Sequence, residues 1–353
     1  MSRLAGLKVI DLSQFLPGPM LTGMMADQGA TVIKVEPPSG DPARQMGPFE
    51  AGHSIWFRNL NRGKAAVTLD LKTQQGKAAL WALLEDADVL LEGFRPGVMA
   101  RLGFDAATVR ARFPALIYCS LTAFGQSGPL AHHPAHDLGV HAESGLLALN
   151  TDASGTPVVP GVPAADIAAG LTALAAILTA LYARTSSGEG ATIDASMFAS
   201  LLPWSAHIAG EAISGGGPAP DPPTHRSLGG HAFYSIYPCA DGQHITLCGR
   251  EAKFVHTLLT ALARPDLIPQ ALSESPADQA AVKAVLAAIF AAHSRRHWEG
   301  WFHGKDVAFA PVRSLAEALP PHVITDSDGA HHIPPAIRFA DEDWSPRKAP
   351  DHG

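Results

Sequence analysis

Three side chains of this sequence have types suited to proton or acyl transfer, namely Asp166, His136 and Glu251. Asp166 directly precedes a long apolar segment, where a carboxylate can cap a helix or act as an acid, base or nucleophile beside the helix dipole. A histidine suits proton transfer near neutral pH, although 17 histidines make any single one weak evidence. Glu251 could fix the tautomer of a histidine or be exposed surface at a strand end. Each residue taken alone therefore has a structural interpretation beside its chemical one.

Several other chemistries are disfavoured by spacing. Residues 132–136 read HHPAH, but Pro134 interrupts the helix that would place two histidine ligands on one face, and no third metal ligand is evident. Ser127 lies in no G-x-S-x-G motif, so a serine hydrolase is disfavoured. The sequence has neither G-x-G-x-x-G nor a P-loop, which disfavours a standard NAD or ATP site. We expect no metal and no permanently bound cofactor.

The elements that would position these residues follow from hydrophobic patterning. Short β-branched runs alternate with longer segments of helical period up to residue 122, which is typical of βα units around a parallel sheet. The predicted strands are 7–13, 31–36, 65–71, 88–94 and 115–121, and the predicted crossover helices are 19–29, 72–86 and 97–113. This predicts an α/β fold with a Rossmann-like, doubly wound parallel sheet. Ligands bind outside the carboxyl ends of such strands, so we expect the site at loops 14–19, 36–44 and 92–97.

A second, smaller domain is predicted after a stretch rich in glycine and proline at 214–224. Residues 231–249 read as two alternating strands joined by a turn at 240–242, and helical segments follow at 253–263 and 276–293. We therefore expect a large domain at 1–190, a connecting strand, helix and linker at 191–224, and a small α+β domain at 225–320. The C-terminal segment 321–353 is expected to return to the large domain, with a polar, extended tail from 342.

Composition narrows the class of protein. The formal net charge is −7 and no basic stripe is evident, so a nucleic-acid partner is not expected. Three cysteines without C-x-x-C spacing fit neither a disulfide framework nor a zinc site and are typical of a cytoplasmic protein. The start of the chain lacks the pattern of a secretory signal. The apolar run 167–183 is shorter than the roughly 20 residues that cross a bilayer, so we expect a buried helix and no membrane partner.

The order of several motifs resembles the class III CoA transferases and α-methylacyl-CoA racemases, the CaiB/BaiF family. The resembling stretches extend over most of the chain: LAGLKVIDLS (4–13) with PGP (17–19), GATVIKVEPPSGD (29–41), KAAVTLDLKTQQGKAAL (64–80), ADVLLEGFRPGVMARLGF (87–104), IYCSLTAFGQSGP (117–129), AHD (135–137) and SGEGATIDASM (187–197). The resemblance implies a Rossmann-like large domain, a small domain and an interlocked homodimer. It also implies an acyl-CoA thioester substrate that carries coenzyme A, and it places Asp166 at the position of the family's catalytic aspartate.

The racemase branch is favoured by three local matches. Racemases of the family carry Gly-His-Asp, which Ala135-His136-Asp137 matches in two positions, whereas transferases more commonly have an aromatic residue at His136. Residues 249–254, GREAKF, resemble the racemase segment whose acidic residue contacts the histidine, although the proline is missing. The segment HSRRHWEGWF (293–302) also resembles that branch. The resemblance thus implies that Glu251 orients His136.

The chain also departs from the family pattern. Many members have an arginine after the acidic residue of the K-V-E loop, where this chain has Pro37 and Pro38, so Lys34 or Arg44 is expected to replace that contact to CoA. The remaining CoA contacts are expected at Phe15, Leu71, Phe94 and Arg95, the last because a guanidinium at a strand end can pair with phosphate.

These observations lead to one prediction and two alternatives. The favoured activity is racemisation of a 2-substituted acyl-CoA, with His136 and Asp166 on opposite faces of the α-carbon and an enolate between deprotonation and reprotonation. The first alternative is CoA transfer, in which Asp166 attacks the thioester carbonyl to form a mixed anhydride. The second is a CoA-binding protein without catalytic activity.

Overall fold

Two compact units make up the chain in the computed structural model, which describes residues 3–50, 52–152, 154–215, 220–326, 329–340 and 345–352. The first unit comprises residues 1–145, 160–204 and 321–353, and the second comprises residues 146–159 and 205–320. The boundaries differ from the expected ones in two places. Residues 192–201, expected in a connecting segment, belong to the first unit, and residues 146–159, expected in the large domain, group with the second.

The first unit contains a parallel sheet and its covering helices. Its strands up to residue 204 are β1 (Lys8–Asp11), β2 (Thr31–Glu36), β3 (Phe49–Glu50), β4 (His53–Ser54), β5 (Ala65–Thr68), β6 (Val89–Glu92), β7 (Ile117–Thr122) and β8 (Thr192–Ser196). Its helices are α1 (Pro17–Asp27), α2 (Ile55–Asn61), α3 (Gln74–Leu84), α4 (Val98–Leu102), α5 (Ala106–Arg112), α6 (Asp137–Glu143), α7 (Ala164–Ser187) and α8 (Met197–Leu201). A 3-10 turn covers Pro42–Gln45, and another begins at Leu202.

The strand order of the main sheet is β5-β2-β1-β6-β7-β8, and every neighbouring pair is parallel. This is the order of a Rossmann-like sheet. The chain first adds strands on one side of β1 and then, from β6 onward, adds them on the other side. The five predicted strands are confirmed within a few residues, and β8 adds a sixth. The reversal lies between β1 and β6, where Ile10 is in register with Leu90.

Apolar strand residues explain why the sheet is buried. Ile10 and Leu90 are fully buried and share one core cluster with Leu80 and Leu84 of α3. Strands covered on both faces read as nearly continuous apolar runs, which is the pattern that made them predictable. The side-chain hydroxyl of Thr73 caps α3 by accepting from the backbone N–H of Gly76.

Helix α7 is the long apolar helix predicted from the sequence. Among the described residues it is the one helix long and apolar enough to cross a membrane, but it packs against α1, α8, β7 and β8 as a core helix of the first unit. Gly170 permits the contact with α1, because a Cβ there would lie 2.8 Å from the carbonyl oxygen of Pro17. The N-terminal turn of α7 is thereby held close to the loop that follows β1.

The second unit contains an antiparallel sheet and several helices. Its strands are β9 (Tyr234–Pro238), β10 (His244–Cys248) and β11 (Phe309–Pro311), and its helices are α9 (Gly210–Ser214), α10 (Ala252–Ala261), α11 (Ile268–Ala271), α12 (Pro276–Phe290), α13 (Arg295–Phe302) and α14 (Leu315–Ala318). Shorter 3-10 turns cover Leu146–Leu149 and Pro265–Leu267, and a third, Pro320–His322, begins at the last residue of the second unit. The predicted hairpin is confirmed, with Tyr237 of β9 opposite Ile245 of β10. Phe290 lies at the centre of an aromatic core, 5.0 Å from Trp298 between ring centroids.

The C-terminal residues group with the first unit. They include the short strands β12 (Ile324–Thr325) and β13 (His331–His332), and their later part runs without helix or strand where it is described. Arg347 donates to the carbonyl oxygen of Ala26, and the backbone N–H of Gly63 donates to the carbonyl oxygen of Lys348. The segment from 345 to 352 is therefore tied along the helices that flank β1 and β2.

Candidate active site

A cavity of about 530 Å³ lies at the reversal point of the main sheet. It is formed by the segments that follow β1, β6 and β7, by the loop that leads into α6, and by the first turn of α7. Its lining residues are Leu12, Ser13, Gln14, Phe15, Pro17, Gly18, Gly93, Phe94, Arg95, Pro96, Leu121, Thr122, Ala123, Ala131, His133, Pro134, Ala135, His136, Gly139, Asp166 and Met197. Two of the three predicted chemical residues, His136 and Asp166, are thus brought to one cavity from positions 30 residues apart.

A buried polar network holds the loop after β1 in place. The Asp11 carboxylate accepts from the backbone N–H of Ser13 at 2.9 Å, from the hydroxyl of Thr22 at 2.6 Å and from the ammonium of Lys64 at 3.2 Å. Although burial alone would raise it, the positive charges of Lys64 and Lys34 lower the pKa of Asp11 to about 2. The network holds the backbone that lines one wall of the cavity.

Phe15 lies in this loop in the left-handed backbone region, with φ of 64°. A residue with a Cβ is disfavoured there, and such conformations persist where the surroundings impose them. The ring of Phe15 meets the imidazole of His136 edge to face, with 6.0 Å between ring centroids. His136 immediately precedes α6 and has an exposed side chain. The loop conformation thus brings an aromatic surface against the histidine.

Asp166 lies in the first turn of α7, two residues after its first residue. The interpretation of Asp166 as the N-cap is wrong, because Pro163 occupies that position and provides no side-chain acceptor. The Asp137 carboxylate of α6 accepts instead from the backbone N–H groups of Ala165 and Asp166. Burial, with a further contribution from the charge of Asp137, raises the pKa of Asp166 to about 7. A carboxyl group of that pKa changes its charge near neutral pH.

The expected CoA-contacting residues fall into two groups. Phe15, Phe94 and Arg95 line the cavity. The cavity wall does not include Lys34, whose ammonium is buried and donates to the carbonyl oxygen of Ser13 while it pairs with Asp41 at 2.8 Å. Both partners are buried, so Lys34 stabilises the loop after β1 and does not line the cavity.

Arg44 and Leu71 are also outside the cavity wall. Arg44 forms a bidentate ion pair with Glu36 and stacks on the ring of Phe57. Its guanidinium therefore already has partners within the protein. Leu71 packs against the apolar core beneath the sheet. The geometry gives no support to a CoA contact from either side chain.

Glu251 lies in the second unit, at the N-cap position of α10, and is exposed. Its carboxylate forms no capping hydrogen bond with that helix. Its predicted pairing with His136 stays a prediction.

Sequence reasoning missed two residues at this edge of the sheet. Asp137 was noted only as part of the Ala135-His136-Asp137 motif and received no role, since an apolar helix start gives no sign of a cap from another helix. Arg101 was not singled out, yet its guanidinium lies 3.5 Å from the point where a Cβ at Gly97 would stand. Within the described part of the chain, neither Arg101 nor Arg95 has a hydrogen-bonding or ion-pairing partner for its side chain. The positive charge at the carboxyl end of β6 is therefore unshared.

The described residues include no cluster of side chains suited to bind a metal ion. Between residues 3 and 352, leaving aside the gaps stated above, no three histidine, cysteine, aspartate or glutamate side chains are grouped to hold an ion. The arrangement offers instead a carboxyl group that titrates near neutrality, an imidazole and an apolar wall. Such a set can form an acyl intermediate or move a proton.

Comparisons with known proteins give a consistent result. A model of "CoA-transferase family III" matches residues 4–334. Acetyl-CoA:oxalate CoA-transferase of Acetobacter aceti is 36% identical over 320 residues, which cover 89% of this chain and 81% of that protein. Human alpha-methylacyl-CoA racemase is 32% identical over 362 residues, covering 98% and 86% of the two chains. The crystal structure of a CAIB/BAIF family protein from Brucella suis matches with a TM-score of 0.86 and 30% identity, over 99% of this chain and 96% of that one.

Proposed function

Because the chain belongs to CoA-transferase family III, an enzyme family, we propose that it moves CoA from an acyl-CoA thioester to a free carboxylic acid. The observation that carries the proposal is the Asp166 carboxyl group, which lines a cavity at the reversal point of the sheet. The sequence favoured the racemase branch, whereas the comparisons favour the transferase. A named CoA-transferase is 36% identical to this chain, against 32% for the human racemase.

The proposed reaction begins when ionised Asp166 attacks the thioester carbonyl and expels the CoA thiolate, which leaves an acyl-aspartyl anhydride. The thiolate then attacks the aspartyl carbonyl and releases the first acid as a carboxylate. The acceptor carboxylate attacks the aspartyl thioester in turn, and the expelled thiolate attacks the acceptor's acyl carbon, which regenerates Asp166. Every step is an acyl transfer, so no oxidant is needed. With a pKa of about 7, a sizeable fraction of Asp166 is ionised at neutral pH.

Binding of the CoA portion is supported by the charge at the end of β6. CoA carries phosphate groups, and the unshared guanidinium groups of Arg95 and Arg101 can pair with them. The apolar side chains of Phe15 and Phe94 provide surface for the uncharged part of the ligand. We propose these four side chains as the CoA contacts. Arg101 lies outside the cavity wall and is included because its charge is unshared, whereas Lys34 and Arg44 pair with carboxylates of the protein and Leu71 packs against its core.

Racemisation of a 2-substituted acyl-CoA is the second candidate, favoured by one observation. His136 lines the same cavity as Asp166, and CoA transfer does not require a histidine. Two groups of suitable pKa on opposite faces of an α-carbon would exchange its proton through an enolate. Glu251 is the proposed partner of His136 in that reaction.

A single experiment separates the candidates. The protein is incubated in D₂O with acetyl-CoA or with one epimer of a 2-methylacyl-CoA, with and without acceptor acids that include oxalate. CoA transfer predicts thioester exchange that depends on the acceptor, and a hydroxylamine-sensitive adduct at Asp166. Deuterium uptake at the α-carbon without acceptor would contradict transfer and support racemisation. Ligand-induced thermal protection with neither reaction would indicate a protein that only binds CoA.

A homodimer is part of the proposal. On α7, Leu171, Leu178 and Tyr182 form an exposed apolar stripe, and Tyr182 is 79% exposed. A contiguous exposed apolar patch can mark a contact with another chain, and a second copy agrees with the homodimer that the family resemblance implies. Light scattering should give about twice the chain mass of 37.0 kDa, and Tyr182→Lys should lower it. A monomeric mass at micromolar concentration would refute the dimer.

A further inference from the structure

The first turn of α7 is held by a side chain from another helix. The first N–H groups of a helix have no partner within it, and Pro163 at the N-cap has no side chain to accept from them. The carboxylate Oδ1 of Asp137, at the start of α6, accepts from the backbone N–H of Ala165 at 2.8 Å and of Asp166 at 3.1 Å. One carboxylate oxygen thus binds the backbone of the reacting residue itself.

We propose that Asp137 is a positioning residue, which anchors the first turn of α7 and places a second negative charge beside the Asp166 carboxyl group. The inference rests on the proposed function only in taking Asp166 as the reacting group. The anchor constrains the backbone from which the Asp166 side chain extends toward the cavity. The charge disfavours ionisation of Asp166 and therefore acts in the same direction as its burial.

The other charged groups near α7 either interact with residues other than Asp166 or lie away from it. Of the elements that pack against α7, α1 ends in Asp27, which pairs with Arg62, and β8 carries Asp194, which accepts from the backbone N–H of Gln126. The ionisable side chains of β7, Tyr118 and Cys119, are buried in the sheet, and α8 has none. On α7 itself, Arg184 pairs with Asp88 near the opposite end.

The remaining groups are those of α6 and of the cavity. On α6, His141 is buried with its Nε2 3.9 Å from Asp137 Oδ2, which is too long for a hydrogen bond, and Glu143 is exposed at the far end of the helix. His133, His136 and Arg95 line the cavity and are exposed. Burial and the charge of Asp137 are the two causes that raise the pKa of Asp166.

Two substitutions separate the anchor from the charge. Asp137→Asn keeps an oxygen that can accept from the two backbone N–H groups but removes the charge, whereas Asp137→Ala removes both. Asp105→Asn is the matched control, because Asp105 also accepts from a backbone N–H in the first turn of a helix, that of Thr108 in α5 at 3.0 Å, but lies on the same helix that it caps. The control should leave the Asp166 titration unchanged.

The test follows the Asp166 carboxyl group by ¹³C NMR across pH, with its signal assigned by Asp166→Asn, and follows CoA transfer in parallel. In Asp137→Asn the midpoint should fall below about 7 and stay above the ordinary value of 3.8, because burial remains. The low-pH limb of kcat/KM should move to lower pH by the same amount. In Asp137→Ala the midpoint should also fall, and kcat should drop roughly 10- to 100-fold through misplacement of the nucleophile.

The outcomes distinguish the two proposals. An Asp166 midpoint in Asp137→Asn that equals that of the unmodified protein overturns the positioning role, whether or not CoA transfer occurs. A lowered midpoint without any CoA transfer supports the effect of the Asp137 charge on Asp166 and contradicts the proposed function. Equal kcat in Asp137→Ala and Asp137→Asn would show that the anchor does not position Asp166.

Discussion

Replacing Asp166 by asparagine should remove activity and stabilise the folded protein, and the gain in stability should grow with pH. The pKa of this carboxyl group is about 7 in the folded protein, against an ordinary value of 3.8. A raised folded-state pKa contributes stability that is fully present below the unfolded value of 3.8 and is lost as the pH rises through 7. Above pH 7 the folded protein carries an ionised carboxylate in a site that disfavours it.

The magnitude follows from the size of the shift. A difference of about three pKa units corresponds to about 4 kcal/mol at 1.36 kcal/mol per unit. Asp166 is only partly buried, so solvent screening reduces this to roughly 2 kcal/mol. The free energy of unfolding of Asp166→Asn, relative to the unmodified protein, should therefore rise by about 2 kcal/mol between pH 3 and pH 8.

Urea denaturation at a series of pH values measures this difference. Comparing the two proteins at each pH cancels the other titrating groups, and comparing pH values cancels any fixed effect of the amide group. Asp152→Asn serves as a control, because that carboxylate is exposed and its pKa is lowered by hydrogen bonds from Ser154 and Thr156. A difference that is flat with pH, or that shrinks as the pH rises, would refute the raised pKa of Asp166.

Three further outcomes are expected. His136→Ala should retain CoA transfer within about tenfold in kcat/KM, and a complete loss of transfer would contradict the proposed mechanism. Arg101→Ala should raise KM for acyl-CoA roughly tenfold or more with little change in kcat, because it removes a phosphate partner, and an unchanged KM would exclude the contact. Gly170→Ala should destabilise the protein by about 1–3 kcal/mol, because the new Cβ would lie 2.8 Å from the carbonyl oxygen of Pro17. Gly300→Ala, a helix glycine with open space around it, should not destabilise, and equal losses in urea denaturation would refute the packing argument.

The sheet was predictable from the sequence because its strands are covered on both faces. Burial on both sides requires continuous apolar runs such as 89–91, and those runs remain visible without any tertiary information. The hairpin around 240–242 was predictable for a similar reason, since its turn residues and alternating strands are adjacent in the chain. The sixth strand, 192–196, was recognised as a strand but assigned to a connecting segment, because periodicity does not say which sheet a strand joins.

The candidate site was predictable only in part, because its interactions join distant residues. Lys34 was expected to contact CoA, but its ammonium donates to the carbonyl oxygen of Ser13, 21 residues away. Arg44 likewise reaches the carbonyl oxygen of Pro350, 306 residues along the chain. The N-cap interpretation of Asp166 failed because the acceptor comes from Asp137 on a different helix. The sequence shows the charge of a basic or acidic residue in a loop, but it does not show which residue that charge pairs with.

The buried Asp11 carboxylate has a consequence for how the cavity binds ligands. It joins the loop after β1 to Lys64, 53 residues later, so the rim that carries Ser13 and Phe15 becomes ordered when the domain folds rather than when a ligand arrives. A ligand entering the cavity then loses its own freedom but does not have to immobilise that loop. Differences in affinity among acyl groups should accordingly report the contacts that each one makes with a wall already in place.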